Sequence, residues 1–182
     1  MFTGQLNDRT QERMRAMIEN PRRRAFWAAR SRRRTAVAAF AATILAASAL
    51  LVFPLAVGTT GEWAAGALTC AFIVLVLVST VISTHINLAA RWVVGYRGLD
   101  EFQRAEMDRA TRIGHNVTAA LATLLIAVTT GFAASAAVTD MGAAPVLAVL
   151  APLALITGMA HAAFPACYLA WTRPDEDVDD ED

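Results

Sequence analysis

The sequence predicts an all-α membrane protein with four transmembrane helices, and three observations lead to that prediction. Hydrophobic residues make up 56% of the 182 residues. Four stretches are apolar enough, and long enough at about 1.5 Å of rise per residue, to cross a hydrocarbon core about 30 Å thick. All but two of the charged residues are gathered in the segments 1–34, 91–115 and 172–182, and the two exceptions, Glu62 and Asp140, lie in the short connections between spans. A chain of this length has room for one membrane domain with polar ends and no separate globular domain.

The polar N-terminal segment, residues 1–34, is strongly basic. It contains ten Arg against three acidic residues, a net charge of +7. Its first part, residues 3–20, predicts a short amphipathic helix because Met14, Met17 and Ile18 fall on one face at spacings i, i+3 and i+4. Pro21 ends that helix.

The second part of this segment holds an arginine cluster immediately before the first span. Such a cluster binds anionic headgroups at roughly 1 kcal/mol per basic residue near the surface, and Phe26 and Trp27 can lie at headgroup level. Nucleic-acid binding is the alternative for an arginine cluster, but the positive-inside rule already accounts for this one. We therefore expect contact with lipid headgroups, and no nucleic-acid partner, from Arg22, Arg23, Arg24, Arg30, Arg32, Arg33 and Arg34.

The four predicted spans occupy residues 35–57, 63–90, 116–138 and 143–171. The second is the clearest, since Trp63–Ala90 runs 28 residues without a formal charge. Backbone groups in hydrocarbon must bond within their own segment, so each of these stretches is expected to be a helix. Short connections join the first span to the second and the third to the fourth, which predicts two antiparallel hairpins.

One longer loop, residues 91–115, separates the two hairpins. Gly95 and Gly98 end the preceding helix, and Asp100 is positioned to N-cap a new one. We interpret the new helix as a solvated extension of the third span. The alternative is a docking helix for a partner over Tyr96–His115.

The distribution of arginine predicts the orientation. Fifteen Arg lie in residues 1–34 and 91–115, and none lies in the two short connections. By the positive-inside rule both termini and the loop are then cytoplasmic. Every basic residue is Arg, which fits a GC-rich bacterial genome. The expected location is therefore the bacterial cytoplasmic membrane.

Small residues recur every four positions in three of the predicted spans. Because lipid tails are as apolar as Leu, close packing of small residues holds membrane helices together. We expect these seams to form the bundle core, with a homodimer contact as the alternative for one of them. The seams are Ala38, Ala42 and Ala46 in the first span, Ala119, Thr123, Ala127, Gly131 and Ser135 in the third, and Ala154, Gly158, Ala162, Ala166 and Ala170 in the fourth.

Polar side chains inside the spans are the candidate functional residues. The fourth span carries His161 near mid-membrane, and an ionisable group at that depth suggests function. The structural alternative is a neutral His bonded to a carbonyl or hydroxyl. Ser and Thr often bond back to their own helix, whereas Asn needs a partner. The second span carries Thr80, Ser83, Thr84 and Asn87 on one face, with His85 roughly opposite.

Several chemistries are disfavoured by the sequence. No Asp or Glu lies inside a predicted span, which disfavours a proton-coupled exporter. The motifs of hydrolases, zinc proteases, phosphate loops and dinucleotide sites are absent. Potential metal ligands are not clustered, and Cys70 and Cys167 form no redox motif. We expect no enzymatic activity, metal or cofactor, with a haem between His85 and His161 as a remote alternative.

The C-terminal residues 172–182 form an acidic tail whose composition predicts disorder. The tail carries Arg173 against seven acidic residues, and it emerges on the same predicted face as the arginine cluster. One hypothesis is that the tail competes with anionic lipid for that cluster. The alternative is a tail that only solubilises the protein.

The segment Leu99–Arg104, LDEFQR, resembles the corresponding segment of uncharacterised small bacterial four-helix membrane proteins. Those proteins carry an acidic-acidic-x-x-Arg segment at the same place, just before the third span. The resemblance implies the same four-helix plan and brings no function with it.

These patterns together predict a non-enzymatic multi-pass inner-membrane protein that acts through contacts with lipid or another protein. An accessory or regulatory subunit of a membrane complex is the leading class, with the loop Tyr96–His115 and the arginine cluster as contact surfaces. The alternative is a small transporter or channel assembled as an oligomer, with a path near His161 and the Thr80/Asn87 face.

Overall fold

The computed structural model describes residues 12–13, 16, 20–57, 61–92, 100–136 and 143–175. Five helices are found in this part of the chain: α1 (Pro21–Ala28), α2 (Arg30–Val57), α3 (Glu62–Ala89), α4 (Glu101–Ala136) and α5 (Ala143–Thr172). By length and composition, α2 to α5 supply four helices that can cross a membrane. The predicted all-α class and its four long apolar helices are thereby confirmed. The predicted amphipathic helix at 3–20 lies almost entirely outside the described residues.

The arginine cluster folds into the short helix α1 and the start of α2. Asn20 caps α1, since its Oδ1 accepts hydrogen bonds from the backbone N–H groups of Arg22 at 3.1 Å and Arg23 at 3.4 Å. Such a cap satisfies donors that the first turn of a helix leaves unpaired. Ala29 then adopts an extended conformation with φ −69° and ψ 120°. This single residue separates α1 from α2, so the chain changes direction just before the first span.

The third span continues a helix that begins outside the predicted membrane segment. The Oδ1 of Asp100 accepts a hydrogen bond from the backbone N–H of Gln103 at 2.7 Å. From that N-cap, α4 runs 36 residues without a break. The prediction that the loop ends in a helical extension of the third span is confirmed.

Helix α5 organises the packing. It packs extensively against α2 and α4 and to a smaller extent against α3, while α2 packs against α3. Among the described helices, α5 is the one that packs extensively against α4. The start of α2, the end of α3, the start of α4 and the end of α5 meet at one end of the bundle, which we call the arginine end because Arg33 and Arg173 join the helices there.

The buried core lies toward the arginine end. Its largest fully buried apolar side chains are Ile86 of α3 and Leu169 of α5. The complete cluster consists of Phe40, Ile44, Ile86, Ala90, Ala110, Ala163, Ala166, Leu169 and Ala170. Its members lie in α2 up to Ile44, at the end of α3 including its cap Ala90, near the start of α4 and in the last third of α5.

A glycine permits the closest approach of α4 and α5. A Cβ atom added to Gly114 would lie 2.9 Å from Cγ and 3.3 Å from Cδ of Pro165, and 3.5 Å from a ring carbon of Phe164. The ring of Pro165 is rigid and lies within α5, so it cannot move aside as a flexible side chain would. Only glycine fits at position 114 without a shift of the two helices.

The prediction that the small-residue seams form the bundle core is wrong for most of their members. Ala166 and Ala170 are buried, but the five seam residues of α4 are exposed, as are Ala38, Ala42, Ala46, Ala154, Gly158 and Ala162. The i+4 spacing establishes that seam residues share a face, and it does not establish which face packs inward. In α4 that face lies on the side of the helix turned away from α5.

Candidate functional site

Arg33 is the most deeply buried charged residue in the described part of the chain, with 1% of its surface exposed. Its Nη1 donates to the carbonyl oxygens of Trp27 at 2.7 Å and Ala28 at 2.8 Å. Its Nη2 donates to the carbonyl oxygen of Arg173 at 2.9 Å and to that of Pro174. The guanidinium therefore binds the carboxyl end of α1 and the carboxyl end of α5 together. Both ends carry partial negative charge, which stabilises a cation placed there.

Arg173 makes a second junction beside the first. Its Nε and Nη2 donate to Oε2 of Glu106 at 2.9 and 2.7 Å. Its Nη1 donates to the carbonyl oxygen of Ala90 at 2.8 Å. Arg173 thus joins the end of α5 to the end of α3 and to the solvated start of α4. The carbonyl contact from Arg33 connects the two junctions into one network.

The start of α2 and the end of α5 each supply a charged group that stabilises the other helix end. The last turn of α5 contains no basic residue, but Nε of Arg30 and Nε of Arg34 each lie 3.4 Å from the carbonyl oxygen of Trp171. The guanidinium of Arg34 also stacks 5.0 Å from the centre of the Trp171 ring. In return, α2 has no acidic residue in its first turn, and Oδ1 of Asp175 accepts a hydrogen bond from the backbone N–H of Arg30 at 2.6 Å.

The structure divides the predicted lipid-contacting arginines into three groups by exposure. Arg22, Arg23, Arg24 and Arg32 are exposed, whereas Arg30 and Arg34 are half-buried. For Arg33 the prediction is wrong, because a side chain that is 1% exposed cannot reach a lipid headgroup. In the sequence nothing distinguishes Arg33 from Arg32, and the docking of α5 decides which of them is buried.

Exposed Arg32 remains associated with α1. Its Nη1 donates to the carbonyl oxygen of Phe26 at 3.1 Å, and its guanidinium lies 4.8 Å from the centre of the Phe26 ring. The Phe26 ring is itself exposed and meets Trp27 edge to face. Basic and aromatic groups therefore share the outer surface of α1.

The polar face predicted on α3 points mostly outward. Thr80 and Thr84 are exposed and bond back to carbonyl oxygens one turn earlier, each at 2.9 Å. Such bonds to the backbone of the same helix are a structural role that Ser and Thr often have in membrane helices. Ser83 is half-buried. Asn87 is also half-buried, and its Oδ1 is buried with no hydrogen-bond partner among the described residues.

The polar contact between α2 and α3 involves residues that the sequence did not single out. The hydroxyl of Ser79, 1% exposed, lies 2.8 Å from Oγ1 of Thr43. The Thr43 hydroxyl also contacts the carbonyl of Phe40, and that of Ser79 the carbonyl of Leu75. Since α3 is apolar around nearly its whole circumference, its sequence gives no signal that Ser79 rather than Thr80 faces α2.

The histidines all lie on the outer surface. His85, His115 and His161 are exposed. His161 shares the outward face of α5 with Ala154 and Gly158, which are also exposed. The structure therefore does not place His161 in the bundle core, and the remote prediction of a haem between His85 and His161 stays a prediction.

The solvated start of α4 presents an uneven surface. Phe102, two residues after the Asp100 cap, is 78% exposed. Beyond it lies an open depression of about 670 Å³, which is lined by Ala105, Asp108, Arg109, Arg112 and Ile113. An exposed aromatic ring beside a depression with charged walls is the kind of surface that a protein partner can contact.

The described residues supply structural junctions between helix ends and exposed surfaces. Within the described ranges no group of three or more His, Cys, Asp or Glu could hold a metal ion. Cys70 and Cys167 are free thiols. The arginine network holds the helix ends together, and the exposed arginines beside it can bind anions.

The comparisons with known proteins give the chain no family. No protein-family model, no curated protein and no solved structure matches it.

Proposed function

We propose that the protein is a non-enzymatic, multi-pass subunit of a bacterial cytoplasmic-membrane complex with an accessory or regulatory role. Its four long helices form two antiparallel hairpins, with both termini and the start of α4 on the cytoplasmic side. The arginine end then lies at the cytoplasmic headgroups. This orientation rests on the positive-inside distribution of arginine.

The observation that carries the proposal is the exposed outer face of α4, the side turned away from α5. None of the residues in its most apolar window is buried in the single chain, and α5 is the described helix against which it packs extensively. Small residues facing lipid gain little, because their value in membranes is to let another helix approach closely. The outward seam of five small residues on α4 supports the proposal because it leaves room for a partner helix to approach closely.

A second surface on the same helix lies outside the predicted membrane segment. The exposed ring of Phe102 and the depression that runs to Ile113 occur within the predicted contact region Tyr96–His115. One partner can therefore contact α4 both within the membrane and at its cytoplasmic end. The exposed arginines of α1 add contacts with anionic headgroups.

Native mass spectrometry of the tagged protein, extracted gently from its own membranes, tests this function. A heteromeric mass is expected. Gly131→Leu should remove the partner because the seam at Gly131 is open to receive a helix, with nothing within 4 Å of an added Cβ. Ala133→Leu is the matched control, since Ala133 is also exposed but points about 200° away around the helix. A monomeric mass for the unmodified protein, or equal loss in both variants, contradicts the proposal.

The second candidate function is an oligomeric transporter or channel. The observation that favours it is the outward position of His161, since an ionisable group at mid-membrane usually faces protein or water rather than lipid. In such an oligomer the transport path runs between copies of the chain and is lined by His161. Ion flux from proteoliposomes should be abolished by His161→Ala and unchanged by His115→Ala, whose residue lies outside the predicted spans. Absence of flux from proteoliposomes of the unmodified protein contradicts this candidate.

A further inference from the structure

The described chain ends at Asp175, which is already bound to the arginine end. Its carboxylate accepts the hydrogen bond from the backbone N–H of Arg30, the first residue of α2. Neither α1 nor α2 has an acidic residue in its first turn, although negative charge is stabilising at that position. The acidic group that α2 needs is therefore supplied by the C-terminal segment.

The residues that follow Asp175 match the arginine surface in charge. Residues 176–182 contain six acidic residues and no basic one. The exposed arginines of the arginine cluster are Arg22, Arg23, Arg24 and Arg32, and the first three lie in the first turn of α1, where the helix dipole adds to their positive charge.

The acidic residues 176–182 are long enough to reach the exposed arginines of α1. Seven extended residues reach up to about 25 Å, and the eight residues of α1 extend over only about 12 Å. The carbonyls of Arg173 and Pro174 are held by Arg33, so the tail starts from a fixed point beside Ala29. The whole outer surface of α1 lies within its reach.

We propose that residues 176–182 dock on Arg22, Arg23, Arg24 and Arg32 of the same chain. The tail is then an intramolecular occupant of the surface that the proposed function assigns to anionic headgroups, and it masks the positive charge of that surface until a competing anion displaces it. Only the competition between the tail and anionic headgroups rests on the proposed function. The docking itself follows from the charges, the reach and the anchored position of Asp175.

Intramolecular cysteine cross-linking tests the docking in the full-length chain. Cys70→Ser and Cys167→Ala remove the native thiols. Arg24→Cys with Asp179→Cys forms the test pair, and Glu101→Cys with Asp179→Cys forms the control pair, since Glu101 is exposed at the same end of the bundle. The protein is kept in neutral detergent, and the reaction is scored on the monomer.

The test pair should cross-link about tenfold faster than the control pair at low salt, as a network of several exposed ion pairs permits. The difference should disappear when NaCl is raised from about 0.01 M to about 1 M, because the screening length falls from about 30 Å to about 3 Å. Equal rates at low salt, or a difference that salt does not change, would overturn the proposal. Equal rates are also the result expected if co-purified anionic lipid, the other candidate occupant, holds the arginines.

Two features keep the outcome interpretable. If Arg24→Cys lowers the melting temperature, Arg23→Cys replaces it, since the neighbouring residue is equally exposed. The cross-link forms within one chain, so its absence does not affect the proposal of a membrane partner. Loss of a heteromeric mass likewise does not affect the docking of the tail.

Discussion

Replacing Arg33 by Met tests whether the buried guanidinium holds the arginine end together. Met is unbranched and of similar length, so Arg33→Met keeps much of the apolar packing while it removes the charge and the donors. The matched control is Arg32→Met, one residue away in the same helix. Arg32 is exposed and makes one backbone contact, to Phe26.

The contacts of Arg33 set the size of the expected loss in the free energy of unfolding. Arg33 donates to four backbone carbonyls, and each hydrogen bond from a charged group contributes about 1.5–3 kcal/mol. The gross contribution of about 6–12 kcal/mol is offset by the several kcal/mol that it costs to bury the charge. We therefore expect a net loss of about 3–5 kcal/mol, the usual cost of removing one partner of a buried charged contact. Arg32→Met should cost less than about 1 kcal/mol.

Tryptophan fluorescence during thermal unfolding in detergent measures the difference. Three of the four tryptophans, Trp27, Trp92 and Trp171, lie at the arginine end. For a chain of this length each kcal/mol shifts the melting temperature by about 2–4 °C, so Arg33→Met should lower it by about 6–20 °C. Equal shifts for the two variants would refute the reasoning, because they would mean that the buried guanidinium stabilises no more than an exposed one.

Two further predictions concern contacts between the long helices. Gly114→Ala should destabilise by about 1–3 kcal/mol through overpacking against α5, whereas Gly158→Ala, with open space around its Cβ, should be neutral or slightly stabilising. Equal melting temperatures for these variants would contradict the close crossing. Ser79→Ala should cost about 0.6–2 kcal/mol by removing the hydroxyl contact to α2, while Thr80→Ala should cost almost nothing. A double-mutant cycle with Thr43→Val should show coupling for Ser79→Ala, and no coupling would contradict the contact.

The elements with strong local signals could be predicted from the sequence. Long apolar runs establish the four membrane-length helices because their length and composition suffice. Asp100 was identified as an N-cap because a carboxylate before a helical stretch satisfies free backbone donors. The break at Ala29 could not be predicted, since neither Ala29 nor its neighbours Ala28 and Arg30 interrupt a helix by local preference.

The arginine network could not be predicted, because it depends on contacts between distant residues. Arg173 was one basic residue in an acidic tail, and Glu106 was one acid among several in a solvated helix. Their pairing requires the end of α5 to lie beside the start of α4. The small-residue seams show the same limit, because spacing defines a shared face and tertiary packing decides whether that face is inside.

Photo-cross-linking in native membranes tests most directly the central claim that the outer face of α4 binds another protein. A benzophenone amino acid is introduced by Ala127→p-benzoylphenylalanine in the seam, and by Thr129→p-benzoylphenylalanine as the control. Both residues are exposed in the single chain, and they point about 200° apart around the helix. A covalent adduct with one defined membrane protein is expected when the benzophenone is at position 127, and no such adduct is expected when it is at position 129. Adducts with lipid alone at both positions would contradict it.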